Sequence, residues 1–169
     1  MSLEFRKVRI PEELPALCEF DRRTFHEYPA DLFSVETWEH LESWWLIADG
    51  EIVGCSAFLL HVDFDDTRSP GTLHIMTTGV LPEYRNRGYG KAQKEWQIEY
   101  AREHGFKRIV TNSRQSNTRM IALNQKYGFK IKGLDPEYYS DPLEAAVVME
   151  RKVRTAKSHG PRMNANKRE

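Results

Sequence analysis

The stretch from Leu73 to Gly105 constrains the fold more than any other part of the chain. Leu73 to Val80 is a β-branched run that predicts a strand, and Leu81-Pro82 ends it, because proline cannot donate to a ladder. The loop that follows holds Gly88 and Gly90 one residue apart. Lys91 to His104 then predicts a helix, with Gly105 as its C-terminal cap. This order places the unpaired N–H groups of a helix start, and the positive end of its dipole, beside the two glycines. An anion is welcome there. Gly88 and Gly90 permit positive φ and let a phosphate lie against bare backbone. Arg85 and Arg87 add positive charge at the same place. The stretch predicts a diphosphate cradle.

Two common phosphate motifs do not fit it. The dinucleotide fingerprint G-x-G-x-x-G fails because Gln93 stands where the third glycine belongs. The P-loop pattern fails because Ala92 follows Gly90-Lys91 and Arg85 takes the place of the first glycine.

The stretch does resemble the R/Q-x-x-G-x-G/A signature of the GNAT superfamily of acyl-CoA N-acyltransferases. It reads Arg85-Asn86-Arg87-Gly88-Tyr89-Gly90, after a V-x-P-x-Y lead-in at Val80, Pro82 and Tyr84. A second stretch, Asn117-Thr118-Arg119-Met120 followed by Asn124, Gly128 and Phe129, resembles the N-x-x-M-x-x-x-N-x-x-x-G-F form seen among mycothiol-synthase-like members. The resemblance implies an α+β fold, with a mixed, mostly antiparallel twisted sheet of about seven strands and about four helices. The sheet is expected to splay between its fourth and fifth strands.

The resemblance also implies acetyl-CoA as acyl donor. Thr78, Gly79 and Val80 would hold its pantetheine arm, and Arg85, Asn86, Arg87, Gly88, Tyr89, Gly90 and Lys91 its diphosphate. Asn117 would bond the cofactor arm, with helix capping as its ordinary role, and Asn124 belongs to the same cofactor set. The Val80 N–H would polarise the thioester carbonyl as an oxyanion donor. The implied reaction is direct transfer, in a ternary complex, to a primary amine of a small molecule or peptide. A non-catalytic acetyl-CoA-binding sensor is the alternative.

The sequence departs from the commoner family pattern at Asn124, where many relatives have a tyrosine taken to protonate the departing thiolate. A thiol pKa of about 8.5 makes the thiolate a good leaving group without that help. The base is implied at His74, six residues before Val80, where some relatives (histone acetyltransferases among them) have glutamate. His61, Asp63 and Asp65 are alternatives. Gly79 in mid-strand suggests a bulge or a close backbone approach. The acceptor is expected over the early helices, between Tyr28 and Trp45. Asp31, Glu36, Glu39 and Glu42 lie there beside Phe33, Trp38, Trp44 and Trp45.

The rest of the chain supplies the frame. Leu3 to Ile10 predicts a first strand, Glu12 to Tyr28 and Ser34 to Ser43 two helices, and Asp49-Gly50 a hairpin between Trp44–Ala48 and Glu51–His61. The Leu73 strand completes an antiparallel meander. Arg108 to Thr111 predicts a strand reached by a right-handed parallel crossover. Asn117 to Tyr127 predicts a helix, and Phe129–Lys132 and Leu143–Val153 the last strands. The acetyltransferase domain is expected over 1–153, with a basic polar tail over 154–169.

Lys and Arg total 25 against 25 Asp and Glu, which argues against a protein built to coat nucleic acid or an anionic membrane. A nucleic-acid reading would rest on the tail alone. No apolar run approaches the ~20 residues that span a bilayer, and the first residues have no signal-peptide core. Cys18 and Cys55 read as reduced core residues, without metal-ligand spacing to any histidine. The expectation is a cytoplasmic monomer or homodimer without a metal.

Overall fold

Asp49 and Gly50 turn the chain back with φ of 48° and 86°, the left-handed pair that a two-residue hairpin uses. They join β2 (Glu42–Ala48) to β3 (Glu51–His61). The computed structural model describes residues 1–63, 67 and 70–154. The expected tail lies outside these residues apart from Arg154, as does Asp65.

β1 (Leu3–Lys7), β2, β3 and β4 (Thr72–Val80) form the antiparallel meander that the sequence predicts. After α3 (Tyr89–Glu103) the chain returns in β5 (Arg108–Arg114), parallel to β4. α4 (Thr118–Lys126) leads to β6 (Lys130–Ser140) and β7 (Leu143–Lys152). β7 inserts between β5 and β6, so the seven-stranded sheet runs β1-β2-β3-β4-β5-β7-β6. The fold is α+β, mixed and mostly antiparallel. Among the described residues, no helix is long and apolar enough to cross a membrane.

Alternation along each strand sends side chains to opposite faces. On one face α1 (Leu14–Thr24) and α2 (Val35–His40) bury Leu17, Phe20 and Trp38 against Trp45, Cys55 and Ala57. On the other, Tyr100, Ala101 and Phe106 pack on Phe58, Leu73, Ile75, Ile109 and Met149.

Several boundaries differ from the sequence reading: β1 stops at Lys7, α1 at Thr24, α3 starts at Tyr89 and β5 runs to Arg114, and three more have a visible local cause. α1 starts at Leu14 because Glu13 is engaged elsewhere. Its carboxylate accepts from Arg9 N at 2.8 Å and pairs with Arg6 at 2.8 and 3.0 Å. That guanidinium holds Glu13 far below the usual carboxylate range, at about 2. α2 ends at His40 because Leu41 is extended, so Glu42 and Ser43 join β2. β6 runs on to Ser140, although Gly133 and Pro136 suggest a break. As the edge strand it tolerates them through register shifts after Ile131 and Asp135.

Gly79 is not at a bulge. The ladder with β3 skips Met76, between Ala57↔Thr77 and Phe58↔Ile75, while Gly79 stays in register with Cys55. Its role is the close approach. A Cβ on Gly79 would lie 2.8 Å from Thr24 Cγ2 and 3.3 Å from Phe20 Cε1. Only glycine lets α1 sit so near β4. Gly79→Ala should therefore destabilise the fold by about 1–3 kcal/mol in urea melts. Adding Thr24→Ala, which removes the opposing methyl, should recover part of that loss.

Candidate active site

β4 and β5 pair only from Thr72↔Arg108 to Ile75↔Thr111. Beyond that point β5 stays with β7 as far as Arg114↔Ala146, and β4 stays with β3 as far as Gly54↔Val80. The sheet splays between its fourth and fifth strands. Leu81 N–H donates to Val53 O at 2.9 Å. In an antiparallel ladder this leaves the neighbouring Val80 opposite Gly54 as a non-hydrogen-bonded pair. Val80 accordingly turns its N–H and C=O into the gap, and Thr78 does the same by the same alternation.

The turn after β4 ends at the gap. Pro82–Tyr84 makes one 3-10 turn, Asn86 has φ 64°, and Gly88 (φ 86°) is the N-cap of α3. No acidic residue stands in the first turn of α3. A Cβ built on Gly88 or Gly90 would meet nothing within 4 Å. The start of α3 is open, bare and positive, as the sequence implies.

The side chains around it divide the work. Arg87 lies 5.4 Å over the Tyr84 ring, and Lys91 is exposed, 3.9 Å from Glu95. Arg85 keeps its charge at the turn but directs two of its donors to the backbone. Its Nε donates to Val80 O at 3.2 Å and its Nη2 to Thr24 O, so it fastens the turn to β4 and α1. The Tyr89 ring is buried beside Leu46, Ala48 and Val53, which leaves its main chain for the cradle. Asn117 caps α4 by accepting from Met120 N at 3.2 Å. Arg119, in that first turn, donates to Asn86 Oδ1, so the starts of α3 and α4 meet at the cradle. Asn124 is fully buried, with Nδ2 3.8 Å from Met149 Sδ.

Beneath β4 lies a polar layer that the sequence reading did not anticipate. Gln97 Nε2 donates to Ser56 Oγ at 2.9 Å and to Thr78 Oγ1 at 2.8 Å. Gln93 Nε2 donates to Ser56 Oγ and to Gly79 O, each at 3.3 Å. Both glutamines are buried. Two amides at i, i+4 on one helix were the available signal.

His74 stands opposite Val110 at the last paired stretch, half-buried, on the sheet face shared with Asn112 and Arg114. Burial holds its imidazole below the usual histidine range. His61, with ring centroid 6.1 Å away, pushes the same way, and the Asn112 side chain opposes both. Yet neither Asn112 Oδ1 nor the buried His74 Nε2 reaches hydrogen-bonding geometry. Further along β5, the Arg114 guanidinium is stacked between the rings of Tyr28 at 4.1 Å and Tyr139 at 4.2 Å.

Of the aromatic residues expected to receive an acceptor, the tryptophans pack in the core, while Phe33 is partly buried and lines a cavity with Asp31 and Trp38. Trp38 and Trp45 are 2 % and 1 % exposed, and Trp44 packs on Trp96 and Tyr100 across the sheet. Asp31 is paired with Arg22, and Glu42 with Lys7. Two cavities of about 420 and 410 Å³ flank Asp21, which burial pushes up to about 6; neither is lined by β4, β5, α3 or α4. Both cysteines are free, and burial pushes both thiols up, Cys55 far up.

A splayed sheet with a glycine cradle at the gap defines an acyl-donor-binding class of fold. The model of the acetyltransferase (GNAT) family matches residues 12–129. The chain belongs to that family. A Drosophila melanogaster protein described as a probable N-acetyltransferase, san, is 33 % identical over 95 residues, 54 % of this chain and 52 % of its own length. The chain thus matches only about half of that relative. An N-alpha-acetyltransferase of Sulfurisphaera tokodaii is 29 % identical over 148 residues, 85 % of this chain and 81 % of its own. Among solved structures, Arabidopsis thaliana NAA60 in complex with acetyl-CoA shares the fold, with a TM-score of 0.73 at 18 % identity. The match covers 90 % of this chain and 99 % of that one.

The polar layer gives a direct test. Gln97→Leu strands the Thr78 hydroxyl and takes one of two donors from Ser56. It should lower stability by about 1–3 kcal/mol in thermal or urea unfolding. An unchanged midpoint would show that the layer carries no weight.

Proposed function

We propose that this protein is an N-acetyltransferase that moves an acetyl group from acetyl-CoA to a primary amine of a small molecule or peptide, directly, within a ternary complex. The observation that carries this reading is the gap beside Val80, where outward-facing backbone groups meet an open helix start. The residues fit the coenzyme in two ways. Thr78 presents its N–H and C=O, and Val80 its N–H, to an extended, amide-bearing arm that can pair with them as an added strand. The bare turn at Gly88 and Gly90, free of acidic side chains, suits a diphosphate. Arg87 and Lys91 flank it, and Asn117 stands at the neighbouring helix start. Bound there, acetyl-CoA would supply an activated acyl group on a thioester.

The chain's own residues supply the rest. The Val80 N–H, fixed by the β3 ladder, is placed to stabilise charge developing on a carbonyl oxygen. An amine with pKa near 10 is mostly protonated at neutral pH, and only the free form attacks. His74 is the base we assign, because its depressed pKa keeps it neutral through the physiological range and its buried Nε2 has no partner to displace. Asn124 provides no acid, and a thiolate departs without one. Cys18 and Cys55, with raised thiol pKa values, offer no covalent route. The half-buried row of His74, Asn112 and Arg114, closed at its far end by Tyr28 and Tyr139, is the face over which we place the acceptor.

Thiol release from acetyl-CoA across a panel of peptide and small amines tests the whole assignment. Binding of acetyl-CoA without turnover on any amine would favour the sensor instead. Gly88→Glu should abolish acetyl-CoA binding in calorimetry while the protein stays folded. Its Cβ has room, and the positive φ costs only about 1 kcal/mol, but its carboxylate enters the cradle. Normal affinity would mean the cradle is elsewhere. His74→Ala should lower kcat by about 10²-fold at neutral pH, with less loss where the amine is already deprotonated. The acid limb of the wild-type profile should fall below the ordinary histidine pKa, following the downward shift of His74. A mutant deficit independent of pH would remove His74 from proton transfer.

A further inference from the structure

Lys94 occupies a place where a lysine has no evident reason to be. It lies on α3 next to Gln93, and its side chain is only 1 % exposed. Among the described residues it makes no hydrogen bond or ion pair; its one partner is the Phe129 ring, 5.0 Å from Nζ. A ring face replaces only a small part of the hydration that a buried ammonium gives up. No acidic side chain offsets the difference. Glu95, next on the helix, is turned to the Tyr127 hydroxyl at 2.7 Å and to Lys91. From β7, Arg151 donates to Tyr127 O, and from α4, Arg119 is bonded to Asn86. Burial alone brings the Lys94 amine down to about 7.

The surroundings point to what completes it. α4 contributes Asn124, wholly buried, whose Oδ1 has no partner. The Phe129 N–H donates to Asn124 O at 3.0 Å, which links the ring under Nζ to the residue carrying that unpartnered Oδ1. Lys94 follows Gly88 by six residues, roughly 9 Å of helix, and side chains on a helix lean back towards its N-terminus. We propose that Lys94 is a further coenzyme-side residue: a buried amine that takes up a proton from solvent when the polyanionic acyl donor occupies the cradle, and then serves as its internal countercharge. This rests on the coenzyme reading above. Phosphate charge acting through a low-dielectric interior favours the ammonium over the neutral amine, so binding and protonation are linked. An ordinary core position would carry leucine or methionine here.

Calorimetry of acetyl-CoA binding in buffers of different ionisation enthalpy, from about pH 6 to about pH 8, measures the proton directly. Wild-type uptake should be small at the acid end, where the amine is already charged, and approach one proton at the alkaline end. Lys94→Met should remove this pH-dependent uptake and weaken binding by about tenfold or more, while the empty variant melts no lower than wild type. Equal uptake and affinity in Lys94→Met would overturn the proposal and leave acetyl-CoA binding intact. A wild-type profile flat across that range would overturn it without any variant, which covers the case where Lys94→Met does not fold. If wild type shows no binding heat at all, the coenzyme reading fails first and this inference falls with it.

Discussion

A strand that loses its neighbour must find other partners for its backbone, and β4 loses β5 after Ile75. The parting is forced from both sides. β5 is held by β7 along its whole length, from Arg108↔Lys152 to Arg114↔Ala146, whereas β4 is bent at Met76 by its bulged ladder to β3. Each backbone group left unpaired in a buried setting costs about 1–3 kcal/mol. Arg85 offsets one of these by accepting the task of partner to Val80 O, which leaves the N–H on the same residue facing the gap. An arm that is extended, narrow and rich in amides is the ligand such an edge selects.

The end of β4 is also held still, and that matters as much as its being unpaired. Gly79 admits Thr24 and Phe20 of α1 from one face. Gln93 and Gln97 of α3 bond Gly79 O, Thr78 Oγ1 and Ser56 from the other. Arg85 ties the outgoing turn to both β4 and α1. An N–H aimed at a developing oxyanion is effective only when it does not have to reorient during the reaction, and contacts from three elements supply that rigidity here. The glycine, the glutamine pair and the arginine therefore all hold the strand end, although only the arginine lies in the signature itself.

What could be read from the sequence was local. Asp49-Gly50 specifies a turn by backbone preference alone, and Gly88-x-Gly90 after a strand specifies an open helix start. Both are seen where expected. The second stretch, Asn117 to Phe129, correctly gave a capped helix closed by Gly128. The misread features depend on neighbours distant in sequence. The alternation at Phe129–Lys132 shows only the start of β6, and nothing local reveals an edge strand that shifts register and runs on to Ser140. Gly79 leaves a bulge and a close approach both open, and only α1 packed against it selects the second. Arg85, named for the diphosphate, also ties the turn to Thr24 O, which the sequence does not reveal. Trp38 and Trp45, beside acidic residues in the sequence, look like a cation pocket but fill the core. Lys94 has the spacing of an ordinary exposed helical lysine, and only the packing of α4 and Phe129 buries it.

Beside the thiols and tyrosines that burial pushes up, it pushes His74 and Lys94 downwards and Asp21 upwards to about 6, each towards its neutral form. Perturbation of this kind is common at functional sites but does not by itself assign a role; access and partners do. Asp21 accepts from Leu32 N at 3.1 Å and so holds the α1–α2 connection in place, a structural use that any carboxyl oxygen could serve. Lys94 is closed off from solvent, so it is suited to answering a charge brought into the interior and unsuited to exchanging protons with an incoming amine. His74 is half-buried as a residue, beside Asn112 on the face that leads to Arg114, although its unpartnered Nε2 is itself buried. A neutral imidazole in that position can take a proton without first giving up a partner. On the proposed reading, the burial that depresses its pKa also sets the pH range over which it would be available, six residues before the strand end at Val80.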